Sequence, residues 1–235
     1  MGKRLIQQAR GKGGPTYRAP SFRYKGRAQH KGLTQGSVDG VIIDFITCQG
    51  HSSPLAQVQY NDGEPVLMLA PEGLRVGDVI TYGGSVEVGN SLSLKDIPEG
   101  TAIHNIEQQP GDGGKFCRAS GTFARVLAKN QDKITVQLPS KKQKIFHGSC
   151  RATIGILAAG GRKEKPFVKA GKRYHAMRAK NKLYPDISGG AQNAVDHPFG
   201  NSRSSRKSKA TPTSWNAPPG RKVGMISARR TGRKK

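Results

Sequence analysis

Val38-Asp39-Gly40-Val41-Ile42-Ile43-Asp44-Phe45-Ile46 is the stretch on which the fold turns. Five of these nine residues are β-branched, which favours a pleated strand over a helix. Downstream, Leu55-Ala56-Gln57-Val58-Gln59-Tyr60 alternates apolar and polar residues, Asn61-Asp62-Gly63 supplies turn chemistry, and 65–69 reads as the returning strand. A further strand is expected over 74–82, with Gly77-Asp78 inside it. Short strands joined by tight turns predict a small antiparallel barrel over 38–84.

Residues 83–100 read as a linker with one short strand. A second, more basic strand set is expected at 102–106, 121–127, 133–138, 143–147 and 153–157, forming a second barrel over 85–161. Turns belong at Asn130-Gln131-Asp132 and Ser140-Lys141-Lys142, and 108–118 forms a loop between early strands. Past Gly160-Gly161 the strand pattern stops. One helix is expected near 170–183, its thin stripe of Tyr174, Met177 and Leu183 surrounded by Lys172, Arg173, Arg178, Lys180 and Lys182. Residues 1–37 lack apolar periodicity and read as an extended arm; 162–235 read as a C-terminal extension carrying the helix.

Charge divides the chain the same way. Residues 1–38 hold nine bases and no acids, whereas 39–110 hold ten acids and two bases, Arg75 and Lys95. Residues 111–161 carry nine bases and two acids; 162–235 carry twenty bases and three acids. Ends this basic repel themselves and need a polyanion. Tyr17, Phe22 and Tyr24 among Arg18, Arg23, Lys25 and Arg27 suit base stacking beside phosphate neutralisation. Trp215 with Arg221, Lys222, Arg229 and Arg230 suits an extended tail threaded through folded RNA. No apolar run reaches the roughly 20 residues of a membrane span. The start, MGKRLIQQAR, lacks the apolar region of a secretory signal, and the Gly/Pro content of 1–37 argues against an amphipathic transit helix, so the expected compartment is the cytoplasm.

Little in the chain points to catalysis. Gln109-Pro110-Gly111-Asp112-Gly113-Gly114-Lys115-Phe116 lacks the first Gly and the Ser/Thr of a nucleotide triphosphate loop, yet its backbone amides, with Lys115 and Arg118, suit an RNA phosphate. Cys48, Cys117 and Cys150 are too far apart for a disulfide framework or a zinc ribbon and read as reduced thiols. His147 and Cys150 read as a surface imidazole and a core thiol. Asp196-His197 is the one acid–base candidate, since a neighbouring carboxylate raises an imidazole pKa, but no nucleophile accompanies it.

Four stretches resemble the L-two family of large-subunit ribosomal proteins, archaeal type. They are Leu69-Ala70-Pro71-Glu72-Gly73-Leu74-Arg75-Val76-Gly77-Asp78; Ile97 to Glu107 with Pro110-Gly111-Asp112-Gly113-Gly114 and Arg118-Ala119-Ser120-Gly121-Thr122; Asn193-Ala194-Val195-Asp196-His197-Pro198-Phe199-Gly200; and Asn216 to Gly224 followed by Ala228 to Arg233. The resemblance implies an oligonucleotide-binding fold followed by a Src-homology-three-like barrel, flanked by RNA-threading extensions. It implies assembly on large-subunit rRNA, support of subunit association, tRNA positioning and shaping of the peptidyl-transferase region. His197 matches the family's histidine near that centre, Arg118 a basic residue of its RNA-binding surface, and His51 a place where bacterial relatives carry Arg. One departure stands out: after His-Pro the family has a triple glycine and a Gly/His-rich segment, whereas this chain has Gly200-Asn201-Ser202-Arg203-Ser204-Ser205-Arg206.

The expectation is a mainly β, non-enzymatic constituent of the large subunit, present in single copy and not as a homo-oligomer. Its partners are large-subunit rRNA, tRNA and small-subunit rRNA by proximity, and neighbouring ribosomal proteins, with no membrane. RNA contacts are assigned to the basic and aromatic residues named above, including Arg203 and Arg206. No cofactor is expected beyond structural Mg2+ bridging to rRNA. A free-standing RNA chaperone or packing protein is the alternative.

Overall fold

The β-branched run of 38–46 forms the strand that its sequence predicts, but with an interruption that explains its three consecutive apolar residues. In the computed structural model, which describes residues 2–33, 36–63, 65–201 and 212–230, β1 (Val38–Ile46) pairs antiparallel with β2 (Leu55–Tyr60) and the register shifts between Ile42 and Asp44. Ile43 is the extra residue of a bulge. Ile42 therefore points into the core while Ile43 stays half-exposed. The turn at Asn61-Asp62-Gly63 closes as expected, with Gly63 N donating to Tyr60 O at 2.9 Å, and β3 (Pro65–Leu69) returns along β2.

β4 (Val79–Tyr82) begins five residues later than the expected 74–82. Asp78 is the reason: its carboxylate accepts the Arg75 N–H at 2.7 Å, its own N–H bonds Arg75 O at 3.3 Å, and Gly77 takes φ +93°. Residues 75–78 are a turn. β5 (Ser91–Ser93) and β6 (Ala102–His104) follow. β7 (Ala124–Asn130) starts after the 119–122 turn, and β8 (Lys133–Gln137) and β9 (Gln143–His147) complete a meander. β10 (Arg151–Ile154) is buried along its length and ends at Gly155, φ +109°, earlier than the expected 153–157.

The strand order is β3-β2-β1-β4-β5-β10-β6-β7-β8-β9. Every named pairing is antiparallel except one parallel bridge, Tyr82 to Ser91, which joins two sets where the two barrels are expected. Each set covers its own core. Ile42, Val58, Tyr60, Met68 and Ile80 fill the first; Ile103, Ile106, Val126, Ile134, Val136 and Phe146 fill the second.

The chain divides into two compact units, one of Met1–Pro20 with Phe167–Lys235 and one of Ser21–Pro166. Residues 21–33, read from sequence as part of an extended arm, belong to the strand unit, where Ala28, His30 and Lys31 are buried. The other unit holds two short helices. α1 (Ile6–Gly11) lies in a segment expected to be extended; Gln8 Oε1 accepts the Leu5 N–H at 3.1 Å and satisfies one of the orphan donors at its start. α2 (Ala170–Arg178) is shorter than the expected 170–183. Asn181 takes φ +52° and donates its amide to Pro15 O and Arg18 O, which ends the helical path. No residue of α2 is buried.

Candidate nucleic-acid interface

The glycine-rich loop was expected to offer its amides to a phosphate. Its geometry is different. Gly111 N and Gly113 N donate to the Glu107 carboxylate at 3.2 and 3.1 Å. Gln108 N and Gln109 N donate to one Asp112 oxygen, and Gly114 N to the other. Five loop amides thus already hold carboxylates of the same chain, and an incoming phosphate meets negative charge there. Burial raises the Asp112 pKa, but the amides of Gly114, Gln109 and Gln108 outweigh it and hold the carboxyl below its ordinary value. Gly114 sits at φ +100°, and a Cβ there collides with Asn105, so only glycine closes this loop without strain.

Glu107 is anchored from below by Arg151. The Arg151 guanidinium donates to Glu107 Oε1 through Nε (3.0 Å) and Nη2 (2.6 Å), and the Arg151 backbone N–H reaches Oε2 at 2.9 Å. Both side chains are almost fully buried. Burial alone raises the carboxyl pKa, but the Arg151 hydrogen bonds and charge more than reverse this, so Glu107 stays ionised. Arg151 also donates to Lys31 O at 2.6 Å and to the Tyr82 hydroxyl at 3.3 Å.

Through Lys31 this pair grips the segment 28–31. Gln29 N bonds Leu67 O in β3, and His30 N bonds Gly113 O in the loop. His30 Nε2 donates to Asn105 O at 2.6 Å, and Arg118 Nη2 donates to Ala28 O at 2.7 Å. The Lys31 ammonium pairs with Asp62 at the hairpin turn and lies 5.2 Å from the Tyr60 ring. The segment therefore straps the first strand set to the second. Burial lowers the His30 pKa to about 4, and that of His104 likewise to about 4, which keeps both imidazoles neutral.

Around this rigid centre the expected RNA-contacting residues are mostly exposed. In the strand unit Arg23, Lys25, Arg27 and Lys115 are exposed. The Arg23 guanidinium lies 5.2 Å from the ring of Phe22, itself strongly exposed. Arg118 is half-buried and works as a strut, donating also to Gly114 O at 2.7 Å. His51 is half-buried, and burial together with the Arg118 charge holds its pKa below the ordinary value. His147 is exposed and Cys150 buried, as their spacing predicts. All three cysteines are free.

In the other unit Arg18, Lys172, Arg173, Arg178, Arg221, Lys222, Arg229 and Arg230 are exposed. Arg173 lies 5.2 Å from the Tyr184 ring and Lys222 Nζ 4.7 Å from the Trp215 ring, which is 69% exposed. The tail is not simply extended: Thr213 N bonds Met225 O, Ser227 N bonds Thr213 O, and Thr213 Oγ1 bonds Val223 O, so it folds back between Thr213 and Ser227. This loop, closed by a parallel bridge between Thr213 and Ile226, leaves Trp215, Arg221 and Lys222 exposed. Arg203 and Arg206 lie outside the described residues.

Asp196 and His197 form no acid–base pair. Asp196 instead lies 3.8 Å from Lys3 Nζ. His197 is buried against Phe199 and Gly189, and its Nδ1 accepts the Phe199 N–H at 3.1 Å, which leaves the proton on Nε2. Burial lowers its pKa, opposite to the rise expected from a neighbouring carboxylate. Asn201 adopts φ +60°, the left-handed conformation that glycine tolerates most freely, at the point where the family pattern has glycine.

Sequence reasoning missed Glu107, Arg151, Lys31 and His30. The available signal was a lone acid just after the expected strand 102–106 and a lone base just before the expected strand 153–157. Among the described residues no three His, Cys, Asp or Glu side chains converge as a metal site, and no helix is long and apolar enough to cross a membrane.

A family model described as "Ribosomal Proteins L2, C-terminal domain" matches residues 87–216. The chain is 54% identical to a protein of Archaeoglobus fulgidus over 234 residues, 99% of each. It is 50% identical to a protein of Methanopyrus kandleri, covering 99% of this chain and 98% of that one. It is 51% identical to one of Methanocaldococcus jannaschii over the full length of both. Each of the three is named large ribosomal subunit protein uL2.

Proposed function

The chain belongs to the L2 family of large-subunit ribosomal proteins, and from that membership we propose that it is a structural constituent of the large ribosomal subunit in the cytoplasm. The agreement with large-subunit proteins from end to end is the observation that carries this reading, and it disfavours a free-standing RNA packer. Large-subunit rRNA is its main partner. The exposed cations and aromatics, among them Arg23, Lys25, Arg27, Arg173, Trp215, Arg221 and Lys222, make the contacts. Cations neutralise phosphates and release counterions; exposed rings stack on bases.

The strand unit, in this reading, is a prebuilt platform of an oligonucleotide-binding fold and a Src-homology-three-like barrel. Arg118 and the Glu107–Arg151 pair act by holding the platform, not by touching RNA. Subunit association, tRNA positioning and the architecture of the peptidyl-transferase region belong to the same proposal, with small-subunit rRNA, tRNA and neighbouring ribosomal proteins as further partners. Any Mg2+ at the interface is held mainly by RNA phosphates. A catalytic role for His197 is not favoured, because its Nδ1 is engaged by backbone and Asp196 faces Lys3. Sedimentation of cell extract on a sucrose gradient tests the assignment. Stoichiometric co-migration with large subunits after a high-salt wash is expected; release to the top fractions contradicts it.

A further inference from the structure

The unit of Met1–Pro20 and Phe167–Lys235 contains a cavity of about 680 Å³. That lies in the range of small-ligand sites, roughly 300–1,000 Å³. Leu5, Ile6, Leu183 and Ile187 give it apolar walls, and Tyr17 contributes an aromatic ring. Arg4 and Lys12 bring positive charge. Asp186 and Asp196 also line it. Residues 162–235 contain only three acids against twenty bases, the third acid being Glu164. Two of three acids therefore converge on one cavity, in a region whose charge otherwise suits phosphate.

A carboxylate repels phosphate and accepts hydrogen bonds without donating any, so it selects a donor edge. Asp196 is partly neutralised by Lys3 at 3.8 Å. Asp186 is exposed and makes no hydrogen bond or ion pair with another described residue. Among the bases, guanine alone places two donors side by side, N1–H and N2–H, which one carboxylate accepts together. Uracil, cytosine and adenine each set a single donor beside acceptors.

We propose that this cavity takes a guanine base splayed out of large-subunit rRNA, with Asp186 accepting its N1–H and N2–H. This rests on the reading of the unit as rRNA-binding. Single-stranded RNA is recognised in this way, by bases turned out of the stack, held between apolar or aromatic surfaces and bonded on their pairing edges. The apolar walls and Tyr17 cover the base, and Arg4 and Lys12 meet its flanking phosphates. A Lys or Arg from another protein also supplies donors, but the many bases of this unit repel a cation and attract RNA.

The test is chemical probing of reconstituted large subunits with kethoxal, which reacts at guanine N1 and N2. With the unaltered protein one guanine is protected. Asp186→Asn leaves one acceptor and sets an N–H2 against a donor, and raises the reactivity of that guanine roughly tenfold, the discrimination typical of a lost bidentate contact. Asp186→Glu, which keeps the carboxylate, restores part of the protection. A kethoxal pattern unchanged by Asp186→Asn overturns the proposal. So does carbodiimide coupling of Asp186 to a lysine of another ribosomal protein. Salt dependence of rRNA-fragment binding separates the two readings: a flat dependence defeats the rRNA assignment itself, whereas a steep dependence with unchanged kethoxal reactivity defeats the cavity alone.

Discussion

Arg151 and Glu107 are a buried ion pair whose value depends on both members being present. Removing one leaves an uncompensated charge in the core. Arg151→Met is expected to destabilise the protein by roughly 3–5 kcal/mol, and the double variant Glu107→Gln/Arg151→Met to recover much of that loss. Urea denaturation of all four members of the cycle reads the coupling. Gly114→Ala forces a side chain into φ +100° against Asn105 and is expected to cost about 1–3 kcal/mol, seen as a lowered thermal midpoint. Trp215 is different because its ring is mostly exposed and folding does not depend on it. Trp215→Ala is expected to leave the thermal midpoint in place and to weaken rRNA-fragment binding by about 5- to 150-fold, the equivalent of one lost base stack of roughly 1–3 kcal/mol. Filter binding beside a melting curve separates the two effects.

The strap of residues 28–31 ties two strand sets that also meet at the parallel bridge Tyr82–Ser91 and at the antiparallel bridge Pro71–Leu157. His30 in the strap and His104 beneath it both have folded pKa values near 4, against 6.5 for a free imidazole. The unfolded chain therefore binds more protons between these values. Stability is full above about pH 6.5 and falls as pH drops toward 4, by on the order of 3 kcal/mol per histidine. His30→Gln is expected to flatten that fall by about half, read as urea midpoint against pH. Strands were legible in the sequence wherever alternation or β-branching met turn residues, as at 38–46, 55–60 and 65–69. Element ends were misread where a side chain rebuilds the backbone locally, as Asp78 does before strand β4 and Asn181 does after helix α2. The strap was illegible because Ala28-Gln29-His30-Lys31 carries no apolar period; its burial comes from carbonyls bonded by Arg118 and Arg151, ninety and one hundred and twenty residues away. The glycine loop was legible as a loop, but the carboxylates that occupy its amides became visible only with Glu107 and Asp112 folded beneath them.

The whole molecule carries a net charge of +25, and several of its acids hold its own scaffold. Glu107 and Asp112 hold loop amides, Asp62 holds Lys31, and Asp78 holds a turn. Exposed bases on both units are, in the proposed reading, the groups that meet phosphate. We propose that rRNA is bound by these exposed cations and rings, on a platform whose glycine-loop amides are held by Glu107 and Asp112. Salt titration of binding between the full-length protein and a large-subunit rRNA fragment tests it most directly. A straight log–log line is expected, with a slope of about −4 or steeper, reduced by about one for each of Arg221→Gln and Lys222→Gln, and unchanged in Glu107→Gln/Arg151→Met at a temperature where that variant is folded. A flat line, or a slope indifferent to the tail cations and reduced by that buried pair, contradicts it.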